Sequence, residues 1–377
     1  MSKQTIILDA VRSPIGLKNG KMIGLRPDDL SANLLKVLLE RNSSLPHKYI
    51  EDVILGCAFP EGPQGMLLAR GVSILSDIPK EAAAKVVNRF CGSAMDAIHQ
   101  VSQAIDSGDI DCGIGGGVED MFGVPMGGFN PDFNPELYEK EYYIGMGETA
   151  ENLASELNIS REEQEEFAVE SHEKALNAIE GGLFDGEIIP IEFNGETIST
   201  DEGPRKPDLD KIKSLSPAFD VEGTITPATS SPISIGASAA LMVSESLAKE
   251  LGLDYEFKIV ARSVAGVDWK IMGSGPLPAT EKALKKSGLT MDDIDVIELN
   301  EAFAAQSLYV IKKGGWDRSK INLNGGAIAL GHPLGCSGSR IIATLMNVMR
   351  QKDSKYGLAT MCIGTGQGIA TIIERVK

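Results

Sequence analysis

A chain of 377 residues, 42% of them hydrophobic, carries enough apolar material for large cores and is expected to fold as two or three domains. Its formal net charge of -17, with no sizeable basic patch, sets the surface against phosphate backbones and anionic headgroups, so neither nucleic acid nor membrane is an expected partner. Five widely spaced cysteines without a CxxC pair, and four histidines with none at metal-ligand spacing from a cysteine pair, fit a reducing compartment and argue against disulfides and structural zinc.

The opening MSKQTIILDAVRSP moves straight into a strand-like run with no apolar leader, and no apolar stretch reaches membrane-spanning length, so the cytoplasm is the expected location. A helix-like stretch from Pro27 follows, then EDVILGC, then the strand-like AAKVVNRF. Cys91 stands next, directly ahead of GSAMDAIHQVSQAI, whose apolar spacing predicts a helix. At a helix N-terminus the unpaired N–H groups and the macrodipole favour thiolate, which makes Cys91 a candidate nucleophile. The plainer alternative is a small buried hydrophobe at a strand–helix junction. DCGIGGGVEDM closes this part of the chain.

From about residue 121 to 233 the composition changes. GVPMGGFNPDFNPELYEKEYYIG is rich in glycine, proline and aromatics. The acidic helix SREEQEEFAVESHEKALNAIEGG comes after it, opened by a capping box of Ser160 and Glu163, its charges read as a solvated face. DEGPRKPDLDKIKSLSPAF has little periodicity, and GTITPATSSPISIGASAALMV returns to small residues and a buried strand. Long connections of this sort in compact enzymes often lie over a substrate.

The second part runs through the helix-like PATEKALKKSG to DIDVIELN and NEAFAAQ, where Asn300 suits holding a water or a ring nitrogen and Glu301 suits a buried partner or a cap. In NGGAIALGHPLGCSGSR, His332 is flanked by Gly331 and Pro333, a fixed loop that suits proton transfer to a thiol. His47, His99 and His172 have no comparable setting and are read as surface or packing residues. Near the end, TMCIGTGQG sets Cys362 beside Gly364, Gly366 and Gly368, a run that lacks the P-loop lysine and the GxGxxG spacing. Two readings stand: glycines that let a backbone N–H reach a substrate carbonyl oxygen beside a second acid/base, or a tight turn next to a buried thiol.

Aligning Asp52-Val53-Ile54 with Asp295-Val296-Ile297 sets Cys91 roughly opposite Cys336, and Cys112 roughly opposite Cys362. Short β-branched runs alternate with longer helical ones in each part, so two back-to-back copies of one α/β unit are expected, with mixed or parallel sheets covered by helices.

VVNRFCGSAMDAI, GGVEDM, GTIT with GASAALMVSE, MGSGPLPA, NEAFA, NGGAIALGHPLGCSGSR and CIGTGQG together resemble the thiolase family nearly end to end. KINLNGGAIALGHPLGCSGSR and GLATMCIGTGQGIAT are most similar to the thiolase subunits of bacterial fatty-acid β-oxidation complexes. The resemblance implies an α/β thiolase fold with a duplicated five-layered α-β-α-β-α core. It assigns residues 1–120 and 234–256 to the N-terminal half, 121–233 to a loop domain covering the coenzyme A site, and 257–377 to the C-terminal half. It implies that Cys91 attacks the 3-keto carbon of a 3-ketoacyl-CoA, that His332 activates this thiol, and that Cys362 protonates the acetyl-CoA enolate and then helps deprotonate incoming coenzyme A. Asn300, through a water, and His332 would form one oxyanion hole, and the backbone N–H groups of Cys91 and Gly364 the other. Ser231 would lie near the pantetheine, Met146, Phe219, Met272, Ala302 and Phe303 would line its channel, and Arg205 would approach the nucleotide end. Three departures from the usual family pattern are the ATSSP segment around Thr229, SIGAS where an aspartate often precedes glycine, and Glu148 in MGETAE.

Coenzyme A is implied as co-substrate, with no tightly bound cofactor and no metal. The implied partners are acyl-CoA substrates, a second copy in a homodimer or dimer of dimers, and a hydratase/dehydrogenase subunit of a β-oxidation complex. A biosynthetic acetyl-CoA acetyltransferase would use the same residues in the condensing direction. A ketosynthase would offer a second histidine where this chain has Asn300 or Cys362. A non-catalytic acyl-CoA or lipid carrier on the same scaffold would not require both cysteines.

Overall fold

The computed structural model describes residues 4–377. In the first half, strand β1 (Thr5–Arg12) leads to helix α1 (Pro27–Arg41), β2 (Asp52–Gly56), α2 (Leu68–Leu75), β3 (Ala83–Val87), α3 (Ser93–Ser107) and β4 (Cys112–Asp120). Helices α4 (Met146–Leu157) and α5 (Arg161–Glu180) belong to the intervening segment, after which β5 (Ser234–Ser244) returns to the sheet. The second half comprises β6 (Phe257–Gly266), α6 (Pro276–Ser287), β7 (Val296–Leu299), α7 (Ala304–Gly314), α8 (Leu334–Lys352), β8 (Tyr356–Ile363) and β9 (Gln367–Arg375). Local signals agree with these bounds. Proline opens α1, with Asp28 and Asp29 in its first turn and Arg41 in its last, each charge complementing the helix dipole.

The strands follow one hydrogen-bonded path whose two arms mirror each other. Outward from the centre, the first arm runs β1, β5, β4, β2, β3 and the second β6, β9, β8, β7. The inner pairings are antiparallel in both arms, and the β2–β4 and β7–β8 pairings are parallel. A parallel bridge from Ile297 to Ile321 stands where β3 stands beside β2. The two arms pair where Ile6 faces Lys258 and Ile7 faces Phe257.

Helices α3 and α8 lie between the arms. Met95, Ile98, Ile341 and Leu345 form a single core with Ile54 and Met242 of one arm and Phe257, Met361 and Ile369 of the other. On the outer faces, Leu34, Leu38 and Val72 pack over Val53, Ile114 and Leu241, while Ala279, Ala283 and Leu308 pack over Ile297, Leu358 and Ile372. Five α-β-α-β-α layers result.

The repeat corrects one expected landmark. Val53 pairs with Ile114 in the first arm and Val296 with Gly357 in the second, so the residue matching Cys362, five positions beyond Gly357, is Glu119, five beyond Ile114. Cys112 instead opens β4, at the opposite end of the strand. Matching cysteine to cysteine misled: Glu119 lies 66 residues beyond Val53, as Cys362 lies 66 beyond Val296, whereas Cys112 lies only 59 beyond Val53. Cys336, third in α8, and Cys91, two residues ahead of α3, remain near neighbours in the repeat.

The segment between β4 and β5 is fastened to the core by charge. The buried Arg12 guanidinium meets Glu187 at 2.6 Å and Asp201 through two bonds of 2.7 and 2.9 Å, so the desolvated cation is fully paired. Helix α5 starts with the expected capping box, Glu163 N–H donating to Ser160 Oγ at 3.2 Å and Ser160 N–H to Glu163 Oε2 at 3.0 Å. Its other face is not solvated: Gln164, Phe167, Ser171 and His172 are buried.

Close approach in the middle layer depends on missing side chains. A Cβ on Gly117 of β4 would stand 2.0 Å from the carbonyl oxygen of Gly335, and one on Gly338 of α8 would stand 2.4 Å from the nitrogen of Met95. Both obstacles are backbone, which cannot rotate away. Gly117→Ala is therefore expected to cost at least roughly 3 kcal/mol of stability, the upper range for overpacking. Urea unfolding of the purified variant measures this, and a midpoint equal to that of the unsubstituted protein would contradict it.

Candidate active site

Cys91 sits in the short turn Phe90–Gly92 that delivers the chain into α3. Phe90 adopts φ 43°, and Ser93 Oγ secures the turn by accepting from Arg89 N–H at 2.9 Å and donating to the Phe90 carbonyl at 2.6 Å. A Cβ on Gly92 would lie 2.5 Å from Ile363 Cδ1, so glycine lets this turn press against the end of β8, next to Cys362. Cys91 is 8% exposed and Cys362 is fully buried.

Burial decides the resting state of the thiol. Desolvation pushes Cys91 up to about 11, against the pull of the Gly364 and Cys91 N–H groups, which favour thiolate, and with a smaller push from Glu119. The thiolate expected from the helix N-terminus is thus not the resting form. Cys362 is raised further by burial and by its neighbour Cys91.

His332 follows Gly331, whose φ is 115° and on which a Cβ would stand 2.6 Å from both Ile15 Cγ2 and Ser234 Oγ. Ser234 Oγ accepts from His332 N–H at 3.1 Å. On the ring, Nδ1 lies 2.6 Å from Ser337 Oγ, and that hydroxyl donates to the Pro333 carbonyl at 3.0 Å. With the serine hydrogen so engaged, Nδ1 carries the ring proton and Nε2 is left as acceptor. Asn300 Nδ2 donates to Nε2 at 3.4 Å. Burial, reinforced by Arg340, pushes His332 down to about 3, so the imidazole is neutral. The imidazole is thus neutral with an unprotonated Nε2, and the Cys91 thiol is neutral as well.

Glu301 is a buried partner and not a cap. It accepts from Ser171 Oγ at 2.7 Å, Asn322 Nδ2 at 2.8 Å and Ile328 N–H at 3.2 Å, tying α5 to the second half. The glycines of CIGTGQG divide their work. Thr365 and Gly366 take φ 68° and 86° in the β8–β9 turn, and a Cβ on Gly368 would lie 1.9 Å from the Gly275 carbonyl oxygen. A Cβ on Gly364 would meet Met146 Sδ at an ordinary 3.4 Å, so this position matters for its N–H, which bonds to Cys91. The tight turn next to a buried thiol is present, and the Gly364 N–H is directed at Cys91.

The residues expected to line the pantetheine channel come together. Met146, opening α4, approaches Gly364 and shares a cluster with Met272, Ala302 and Phe303. Phe219, 45% exposed, stands edge-on to Phe303 with centroids 5.7 Å apart, and Ser231 N–H donates to the Ala302 carbonyl at 3.0 Å. Arg205 lies apart from this group. Its N–H approaches His172 Nδ1 at 3.4 Å, and it lines a cleft of about 330 Å³ with Lys206, Lys211 and Ala228. His99 packs in the core, bonded to Thr371 at 2.8 Å. Two site residues escaped the sequence reading: Ser337, which sets the tautomer, and Glu119, whose only sequence signal was its place in GGVEDM.

The chain matches the thiolase N-terminal domain family over residues 5–246 and the thiolase C-terminal domain family over residues 253–375, and it belongs to the thiolase family. It is 51% identical to a 3-ketoacyl-CoA thiolase of Shewanella frigidimarina, over 99% of this chain and 100% of the relative. A 3-ketoacyl-CoA thiolase of Alcanivorax borkumensis is 49% identical, over 99% of each. The crystal structure of the Bacillus anthracis acetyl-CoA acetyltransferase is similar at a TM-score of 0.91 and 36% identity, over 100% of this chain and 99% of that one.

A thiol held near 11 predicts a specific reactivity. Alkylation of Cys91 by iodoacetamide, followed on its peptide by mass spectrometry, is expected to speed up about tenfold per pH unit between pH 7 and 10. A plateau below pH 8 would mean a resting thiolate and contradict the neutral pair.

Proposed function

We propose that this protein is a 3-ketoacyl-CoA thiolase, cleaving a 3-ketoacyl-CoA with coenzyme A to acetyl-CoA and an acyl-CoA shortened by two carbons. The observation that carries this reading is the pairing of Cys91 with Cys362 and the Gly364 N–H, and of the His332 imidazole with Asn300, in a chain that belongs to the thiolase family.

The steps follow from the protonation states. His332 Nε2 takes the Cys91 proton as Sγ bonds to C3 of the substrate, and the developing oxyanion is met by N–H donors. Collapse of the tetrahedral adduct breaks the C2–C3 bond and leaves a thioester on Cys91. The electron pair goes to the acetyl-CoA enolate, whose oxygen is met by the donors at Asn300 and His332 and whose carbon receives the Cys362 proton. Coenzyme A then gives its thiol proton to the Cys362 thiolate and attacks the thioester. Cys91 leaves and recovers its proton from His332. Two chemical half-reactions joined by a covalent intermediate give ping-pong kinetics.

Ser231, Met146, Phe219, Met272, Ala302 and Phe303 are proposed as the pantetheine wall, with residues 121–233 as the loop domain that carries part of it. Arg205 is proposed to meet the nucleotide end from its separate cleft. No helix among the described residues is long and apolar enough to cross a membrane. We place the enzyme in the cytoplasm as a homodimer or dimer of dimers, working with a hydratase/dehydrogenase subunit. The similarity to an acetyl-CoA acetyltransferase supports the condensing direction as a second reading, since the same groups serve it.

Thiolysis rates across 3-ketoacyl-CoAs of increasing chain length test the function. Measurable cleavage beyond four carbons is expected, and activity confined to acetoacetyl-CoA would favour the condensing enzyme. Cys362→Ala is expected to lower kcat at least about 100-fold, as loss of an acid/base does, while Cys91 still accepts an acyl group. Undiminished turnover would remove Cys362 from proton transfer.

A further inference from the structure

The carboxylate of Glu119 has no part in the steps above, yet it is buried near enough to Cys91 to act on its thiol. It stands at the end of β4, 1% exposed, in the position that Cys362 occupies in the other arm. Three separate segments converge on it. Oε2 accepts from Ala58 N–H at 2.7 Å and from Gly335 N–H at 2.8 Å, and Oε1 accepts from Phe59 N–H at 3.2 Å and Gln64 Nε2 at 3.0 Å. The thiol of Cys57 points at the same oxygen from 3.6 Å. Burial pushes the Glu119 carboxyl above its ordinary value, and the donors from Ala58, Gly335, Gln64 and Phe59 pull it back down; since every one of these partners donates, the ionised carboxylate is the form that fits.

Gly335 is the residue through which this matters. It lies three positions after His332 and one turn ahead of Gly338, at the start of α8. A Cβ there would stand 2.6 Å from Glu119 Oε2 and 2.7 Å from Cys57 Cα, so the backbone is drawn against the carboxylate with no room to spare. The orphan N–H of a helix start is satisfied by a fixed anion, which sets where α8 begins and therefore where Ser337 and the His332 loop stand.

We propose that Glu119 is a positioning residue for the thiolase reaction: as a carboxylate it anchors the start of α8 beneath His332 and keeps a fixed negative charge behind Cys91. The inference rests on the assignment of Cys91 and His332 as nucleophile and base. The charge discourages a premature thiolate, because Glu119 adds to the burial that raises Cys91. The other groups facing that thiol are Cys362, which it raises in turn, and the N–H groups of Gly364 and Cys91, which favour the anion. Glu119 acts also on Cys57 and Cys336. The two strand ends of the duplicated fold have thus diverged into a thiol that moves protons and a carboxylate that holds the frame.

The test compares the full-length wild type with Glu119→Gln and Glu119→Asp, reading both steady-state thiolysis and the pH midpoint of Cys91 alkylation. The Gln side chain keeps the shape but turns an N–H toward N–H donors and removes the charge. It is expected to lower kcat at least tenfold and to move the alkylation midpoint about half a unit or more toward acid, the direction produced by removing a neighbouring negative charge. The shorter Asp keeps the charge but withdraws from Gly335, so its kcat is expected to fall with the midpoint unmoved. Wild-type kcat in either variant, or an unmoved midpoint in the Gln variant, overturns the proposal. Should the Gln variant fail to fold, the Asp variant decides: a fall in kcat with a wild-type midpoint supports the proposal, and any other result overturns it. If the wild type itself shows no thiolysis, it is the thiolase assignment that fails.

Discussion

Burying the thiols of Cys91 and Cys362 and the imidazole of His332 makes isolated charge expensive at each of them, and the proposed chemistry is arranged around that constraint. Cys91 is held up near 11 and His332 down near 3, so the pair rests uncharged. A proton passes between them only when the resulting thiolate is consumed at once by bond formation to a carbonyl carbon. The donors that favour the anion, from Gly364 and from Cys91 itself, are already in place and need no rearrangement at that moment. The same dryness raises Cys362, which makes it a proton donor to a carbon base more readily than a resting anion.

Duplication supplies the geometry. Two copies of one strand order, joined at two residue pairs near the middle of the molecule, leave α3 and α8 between them with their N-termini at the same end of the core. One helix start carries the proposed nucleophile and the other the proposed base. The strand ends beside them carry Cys362 and Glu119 in matching register. Glycines at 117, 335 and 338 permit β4, α8 and α3 to approach one another closely.

Much of this was legible in the sequence. Cys91 before a helix, His332 between glycine and proline, and Cys362 beside spaced glycines are local signals, because the turn that presents each side chain is encoded within a few residues of it. The duplication was visible through Asp52-Val53-Ile54 and Asp295-Val296-Ile297. What the sequence hid depends on tertiary surroundings. Burial overrides the helix N-terminus at Cys91, and a change of residue type, carboxylate in one half and thiol in the other, conceals Glu119 as the counterpart of Cys362. Ser337 was concealed for a similar reason: its role appears only once the Pro333 carbonyl is seen to take its hydrogen.

The covalent thioester is the point on which the chemistry turns, and it can be trapped. Wild-type enzyme incubated with an acyl-CoA in the absence of free coenzyme A, quenched in acid and digested, is predicted to carry the acyl mass on the peptide containing Cys91, at close to one group per chain. An acyl group found on Cys362 instead, or no acylated peptide from enzyme that is turning over, would contradict the account.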